Sequence, residues 1–200
     1  MSGRTLVAGI GNVFLGDDGF GVEAVRGLSA HPLPDHVEVV DFGVRGVHLA
    51  YQLLDGYDTL VLVDATARGG DPGTLYLIEA DAEGPAPPGG AVLDGHHMTP
   101  DAVLALLDTL CAGTGSTPPR RTLVIGCEPA SIEEGIGLSP PVAAAVPRAV
   151  RMVLELFGAG AGAGTEIRSG TETRTETVAP TGAPNGSEAA MPSRELRRTP

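Results

Sequence analysis

The chain has 200 residues, a formal charge of −12 and no lysine, and its 29 glycines outnumber every cationic residue type together. That length suits one medium domain with a sizeable core. An acidic chain without a basic cluster excludes nucleic acid as a partner. No apolar run approaches the roughly 18–20 residues needed to span a bilayer, and the opening MSGRTLVAGIGN lacks the long apolar core of an export signal, so the expectation is a cytoplasmic protein away from membranes. Two cysteines, Cys111 and Cys127, are too few for a disulfide framework and lack metal-site spacing. Each lies in an apolar stretch and reads as a buried reduced thiol.

Strands and helices alternate along the first three quarters of the chain. Residues 4–10, RTLVAGI, form a continuous apolar run of the kind a doubly covered parallel strand has. Residues 19–30 carry Val22, Ala24, Val25 and Leu28 at helical spacing. A β-rich segment at 36–43 precedes a second helical pattern at 47–56, which Gly56 closes. The run at 58–65, DTLVLVDA, reads as a buried strand, and 73–80, after a DPG turn, as another. Residues 81–95 are rich in proline and glycine. Thr99 and Pro100 then open a helix over 99–110 as cap and first helical residue. A fifth strand is predicted from 121, and a long helix over 139–158, with Pro147 as a point where it is free to kink.

This alternation predicts a three-layer αβα sandwich around a mostly parallel five-stranded twisted sheet. From residue 159 the composition becomes small, polar and proline-spotted, with five Glu balanced by five Arg, so the whole negative excess belongs to residues 1–158. The expected organisation is one α/β domain over 1–158 and a disordered tail over 159–200, which has too little apolar surface to offset its ordering entropy.

In such sheets, sites form at the carboxyl ends of the strands. The stretch GIGNVFLGDDGFGV at 9–22 puts Asp17 and Asp18 after the first strand, Asp64 ends the central strand, and His96 and His97 close the proline-glycine loop. Two carboxylates and an imidazole make a plausible O/O/N set for a borderline divalent metal, with open positions for metal-centred chemistry. Each residue also has a plainer role open to it. Asp17 or Asp18 suits a cap for the following helix, Asp64 the cap of the next one, and a loop histidine is usually solvated. A dinucleotide fingerprint would need glycine where Phe14 stands, and no P-loop lysine exists, so the opening loop presents carboxylates rather than cradling phosphate. No nucleophile elbow and no HExxH zinc motif occur.

Four ordered segments carry a family resemblance: GIGNVFLGDDGFGV, LVLVDA, DGHHMTPDAVLAL and GCEPASIEEGIGLSPPV. Together they resemble the hydrogenase maturation proteases, endopeptidases that process the large subunit of [NiFe] hydrogenases. The resemblance implies an aspartic-type endopeptidase activity that removes a C-terminal extension from a large-subunit precursor after nickel insertion. Substrate-bound nickel would be the recognition signal, with Asp18, Asp64 and His96 as both ligands and catalytic residues and His97 as a bystander. The protein would act as a monomer. A non-catalytic nickel-binding chaperone in hydrogenase assembly is the alternative. Whether the metal activates water or anchors the substrate stays open, as does the choice between base and helix cap for Asp17. The 43–47 loop is expected to line the peptide groove, with Arg45 either solvated or facing an acidic substrate group.

Overall fold

A computed structural model describes residues 3–80 and 100–158. Five strands, β1 (Thr5–Ile10), β2 (Val37–Gly43), β3 (Thr59–Ala65), β4 (Leu75–Ala80) and β5 (Arg121–Cys127), form one sheet in the order β2-β1-β3-β5-β4. β1, β2, β3 and β5 run parallel and β4 is antiparallel to β5. Four α-helices accompany them among the described residues: α1 (Phe20–Leu28), α2 (Gly46–Leu53), α3 (Pro100–Thr114) and α4 (Pro140–Leu156). A 3-10 turn over Gly16–Gly19 leads into α1. The predicted mostly parallel five-stranded αβα fold is the one observed. The Thr99 cap, the 81–95 loop and the proposed tail at 159–200 lie outside the described residues.

The apolar runs are explained by coverage on both faces. Every residue of β1 is buried, as are the first five of β3. Alternation sorts their side chains into two cores. Val7, Val61, Val63, Leu123 and Ile125 meet α1 and α4, whereas Leu6, Ala8, Leu60, Leu62 and Val124 meet α2 and α3. By the same alternation Asp64 shares the α2/α3 face with Leu60 and Leu62.

Glycines bring α1 close to the sheet. A Cβ on Gly21 would overlap the backbone carbonyls of Ile10 and Val63, and one on Gly9 would overlap the carbonyl of Gly21. Only bare backbone lets the first turns of α1 sit over the ends of β1 and β3. Pro147 falls inside α4 without ending it. Pro147 and Ala143, whose carbonyl loses its helical partner, both lie on the exposed side, where water replaces that bond. Cys111 and Cys127 are buried free thiols, and burial pushes Cys127 up to about 11, so neither is a reactive nucleophile.

After β1 the chain turns to β2 on one side, then crosses back to place β3 on the other. The crevice between the carboxyl ends of β1 and β3 is therefore the topological switch point, where open α/β sheets place their sites.

Candidate active site

Asp18 and Asp64 both stand at this crevice, one on the 3-10 turn after β1 and one at the next-to-last position of β3. Asn12 N–H donates to Asp18 Oδ2 at 2.6 Å, and Asn12 Oδ1 in turn accepts Phe14 N–H at 3.0 Å. The asparagine thereby shapes the loop and aims the carboxylate, while the second Asp18 oxygen has no hydrogen bond among the described residues. Gly11, at φ +130°, has its Cα against the Asp18 carbonyl, so no side chain fits there.

Asp64 is half-buried, with no cation paired to it among the described residues. Burial first, and the nearby Asp18 carboxylate second, push its carboxyl up to about 8, against a smaller opposing effect from the Ala65 N–H. Near neutral pH the metal-free site therefore holds a proton on Asp64. Two close carboxylates with no counter-charge among the described residues are a donor set that a divalent cation fits.

His96 lies outside the described residues, as does His97, and no group of three His, Cys, Asp or Glu side chains converges among the described ones. The neighbouring helix still bears on it. α3 begins at Pro100, contributes Val103 and Leu107 to the core on the Asp64 face, and connects through the short segment 115–120 to the start of β5. Fifteen residues of helix span about 22 Å, the length of a sheet strand. Pro100 thus stands at the carboxyl end of the sheet, the end that carries Asp18 and Asp64.

Asp17 caps no helix of its own, contrary to the expectation for the pair. The N-terminus of α1 has no side-chain cap. Asp17 is 1% exposed and reaches across the molecule to the segment before α4. Its Oδ2 accepts Ala130 N–H at 2.8 Å, Ser131 N–H at 3.2 Å and Ser139 Oγ–H at 2.8 Å, while Oδ1 accepts Ser139 N–H at 2.6 Å. Burial raises the carboxyl pKa, but the bonds from Ser139, Ala130 and Ser131 outweigh it and hold the group below the usual carboxylate range. Buried and held by four donors, Asp17 is an anchor, not a base.

Glu128, which the sequence reading passed over, plays the matching part on the other side. It is buried and accepts Arg68 N–H at 2.8 Å, Gly69 N–H at 3.1 Å and Tyr76 O–H at 2.7 Å. It therefore ties down the loop that follows Asp64. An acid immediately after a buried strand was the available signal. Arg45 is exposed but not simply solvated: its guanidinium donates to the carbonyls of Asp41 and Phe42 at the end of β2. Gly43, at φ +54°, accepts from Gly11 N–H at 3.1 Å, which sets this loop beside the Asp18 loop.

Comparison with known proteins places this chain in a family. A family model described as hydrogenase maturation protease matches residues 22–156. The chain belongs to the hydrogenase maturation protease family. It is accordingly a peptidase, a hydrolase of the peptide bond. It is 37% identical over 155 residues to the hydrogenase 2 maturation protease of Escherichia coli K12, covering 76% of this chain and 88% of that protein. A hydrogenase expression/formation protein, HupD of Rhizobium leguminosarum bv. viciae, is 36% identical over 156 residues, 77% of this chain and 74% of that one. Among solved structures, the hydrogenase maturating endopeptidase HybD from E. coli aligns with a TM-score of 0.63 at 32% identity, covering 79% of this chain and 94% of that one. The shared fold accounts for the strand order, and no helix among the described residues is long and apolar enough to cross a membrane.

Proposed function

We propose that this peptidase removes the C-terminal extension of a [NiFe] hydrogenase large-subunit precursor after nickel insertion, reading the substrate-bound nickel as its signal. The observation that carries this reading is the pair Asp18 and Asp64 at the switch-point crevice, held close with no cationic partner among the described residues and with Asp64 pushed up to about 8. Such a pair gains from a divalent ion what it otherwise loses to mutual repulsion. His96 completes the set as an imidazole ligand, supported by the placement of Pro100 at the same end of the sheet.

Nickel presented by the precursor would polarise a carbonyl or water in the crevice. The protein's own residues bind and orient. Asp18 offers its second oxygen, which has no hydrogen bond among the described residues, with Asn12 fixing the other. Asp64 gives up its proton as the ion arrives. Asp17 and Glu128 keep the flanking loops in place. The 43–47 loop, next to Gly11, forms a wall of the peptide groove. Because Asp17 is buried and committed to four donors, the carboxylates left for base chemistry on water are Asp18 and Asp64.

The test is cleavage of a nickel-loaded precursor beside the same precursor without nickel, read by the mass of the released C-terminal peptide. Cleavage of the loaded form alone is expected. Asp18→Asn, Asp64→Asn and His96→Ala should abolish it and His97→Ala should leave it nearly unchanged. Equal cleavage with and without nickel removes the metal from recognition.

A further inference from the structure

Three large apolar side chains stand out in water beside the crevice: Phe14 is 65% exposed, Ile132 58% and Ile136 86%. Singly they would need no explanation. Their backbones, however, belong to two loops fastened into one unit. Leu15 and Gly135 form a β-bridge, with Gly135 N–H donating to Phe14 C=O and Gly16 N–H to Gly135 C=O, both at 2.9 Å. Asp17 N–H donates to Ser131 C=O at 3.1 Å, and Asp17's carboxylate takes the Ala130 and Ser131 N–H groups. The exposed side chains are thus carried on a fixed ridge, which loses little further freedom when covered. Glu133 and Glu134 share that ridge, both exposed and without an ion-pair partner among the described residues.

We infer that this ridge docks an apolar segment of the large-subunit precursor with cationic side chains beside it, holding the substrate next to the Asp18–Asp64 crevice. This rests on the endopeptidase reading above. Phe14 lies four residues before Asp18 on the same loop, so a chain on the ridge is continuous with the crevice. A second copy of this protein is the poorer occupant: it would bring the same two glutamates and a charge of −12 against themselves.

The experiment uses the full chain and the nickel-loaded precursor, measuring binding by calorimetry and cleavage by kinetics. The double variant Phe14→Ser/Ile136→Ser removes exposed side chains and should keep the wild-type melting temperature. Its KM should rise about tenfold or more with kcat within about twofold. Glu133→Gln/Glu134→Gln should raise KM less and flatten its salt dependence. Unchanged KM in both variants, with the wild type cleaving normally, overturns the docking surface and leaves the endopeptidase reading standing. Ridge-dependent binding without cleavage keeps the surface and removes the endopeptidase reading. A precursor neither bound nor cleaved by the wild type overturns both.

Discussion

Asp17→Ala separates anchoring from chemistry more sharply than any other substitution. It deletes a buried carboxylate that accepts four hydrogen bonds, three from backbone N–H groups and one from the Ser139 hydroxyl. Bonds to a charged acceptor contribute about 1.5–3 kcal/mol each, but the four share one carboxylate and do not sum. Ala130 and Ser131 are exposed, so water can take over their N–H groups, whereas half-buried Ser139 is less well served. The expected loss is about 3 kcal/mol, or roughly 6–12 °C in melting temperature for a domain of this size. Asp17→Asn should cost nearly as much. Its carboxamide can keep the three Oδ2 contacts only by turning its NH2 toward Ser139 N–H, donor against donor. Urea denaturation provides the free energy, and the same variants assayed for cleavage well below their melting points provide the rest.

The pH dependence carries its own sign. Asp17 has a native pKa below its ordinary 3.8, so the unfolded chain binds more protons as the group titrates. Its stabilisation is present above 3.8 and is lost as pH falls through the native value. The gap between wild type and Asp17→Asn should therefore narrow in acid and be constant from about pH 5 upward. If either variant stayed within about 1 kcal/mol of wild type while cleavage vanished, Asp17 would have to be a participant in the reaction and the anchoring account would be wrong.

Three further expectations follow from other contacts. Nickel binding to the full chain should strengthen as pH rises toward about 8, because Asp64 must lose its proton, by about tenfold per pH unit for one proton released; calorimetry in buffers of different ionisation enthalpy should detect that proton, and Asp64→Asn should flatten the slope. Gly21→Ala should destabilise by about 3 kcal/mol or more, since its methyl meets fixed backbone on both sides, whereas Gly56→Ala, at φ +82° in open space, should cost only about 1–2 kcal/mol; equal losses in urea melts would contradict the close approach of α1. Glu128→Gln should speed amide exchange at Arg68 and Gly69, the N–H groups it accepts, with little effect on exchange in β1.

What could be read from the sequence was what local pattern encodes. β1 and β3 are buried on both faces, and their unbroken apolar runs say so. Asp18 and Asp64 were legible because strand ends are where such sheets keep their sites, and the fold puts both at one crevice. The direction of β4 was not legible: its composition marks a strand, but its antiparallel pairing with β5 depends on where the chain goes over the following forty residues. Asp17 was misjudged for the same reason. A carboxylate before a helix suggests a cap on that helix, yet its partners lie 113 to 122 residues later. Glu128 bonds to a loop about sixty residues earlier, a pairing that local propensity does not contain.

Four of the carboxylates at the carboxyl end of this sheet are divided into two kinds by their neighbours. Asp17 and Glu128 each accept several N–H and O–H bonds from segments distant in sequence, and both titrate below their ordinary range. They stay charged because several donors meet each carboxylate, and this binds the loops on either side of the crevice. Asp18 and Asp64 have one backbone donor each, Asn12 and Ala65, and Asp64 keeps its proton instead. At Asp17 the bonds from Ser139, Ala130 and Ser131 outweigh the cost of burial, whereas at Asp64 burial and the Asp18 carboxylate outweigh the single Ala65 N–H. The fold holds two carboxylates with several donors each and leaves two others at the switch point with one backbone donor each among the described residues, and it is on this second pair that the proposed nickel reading rests.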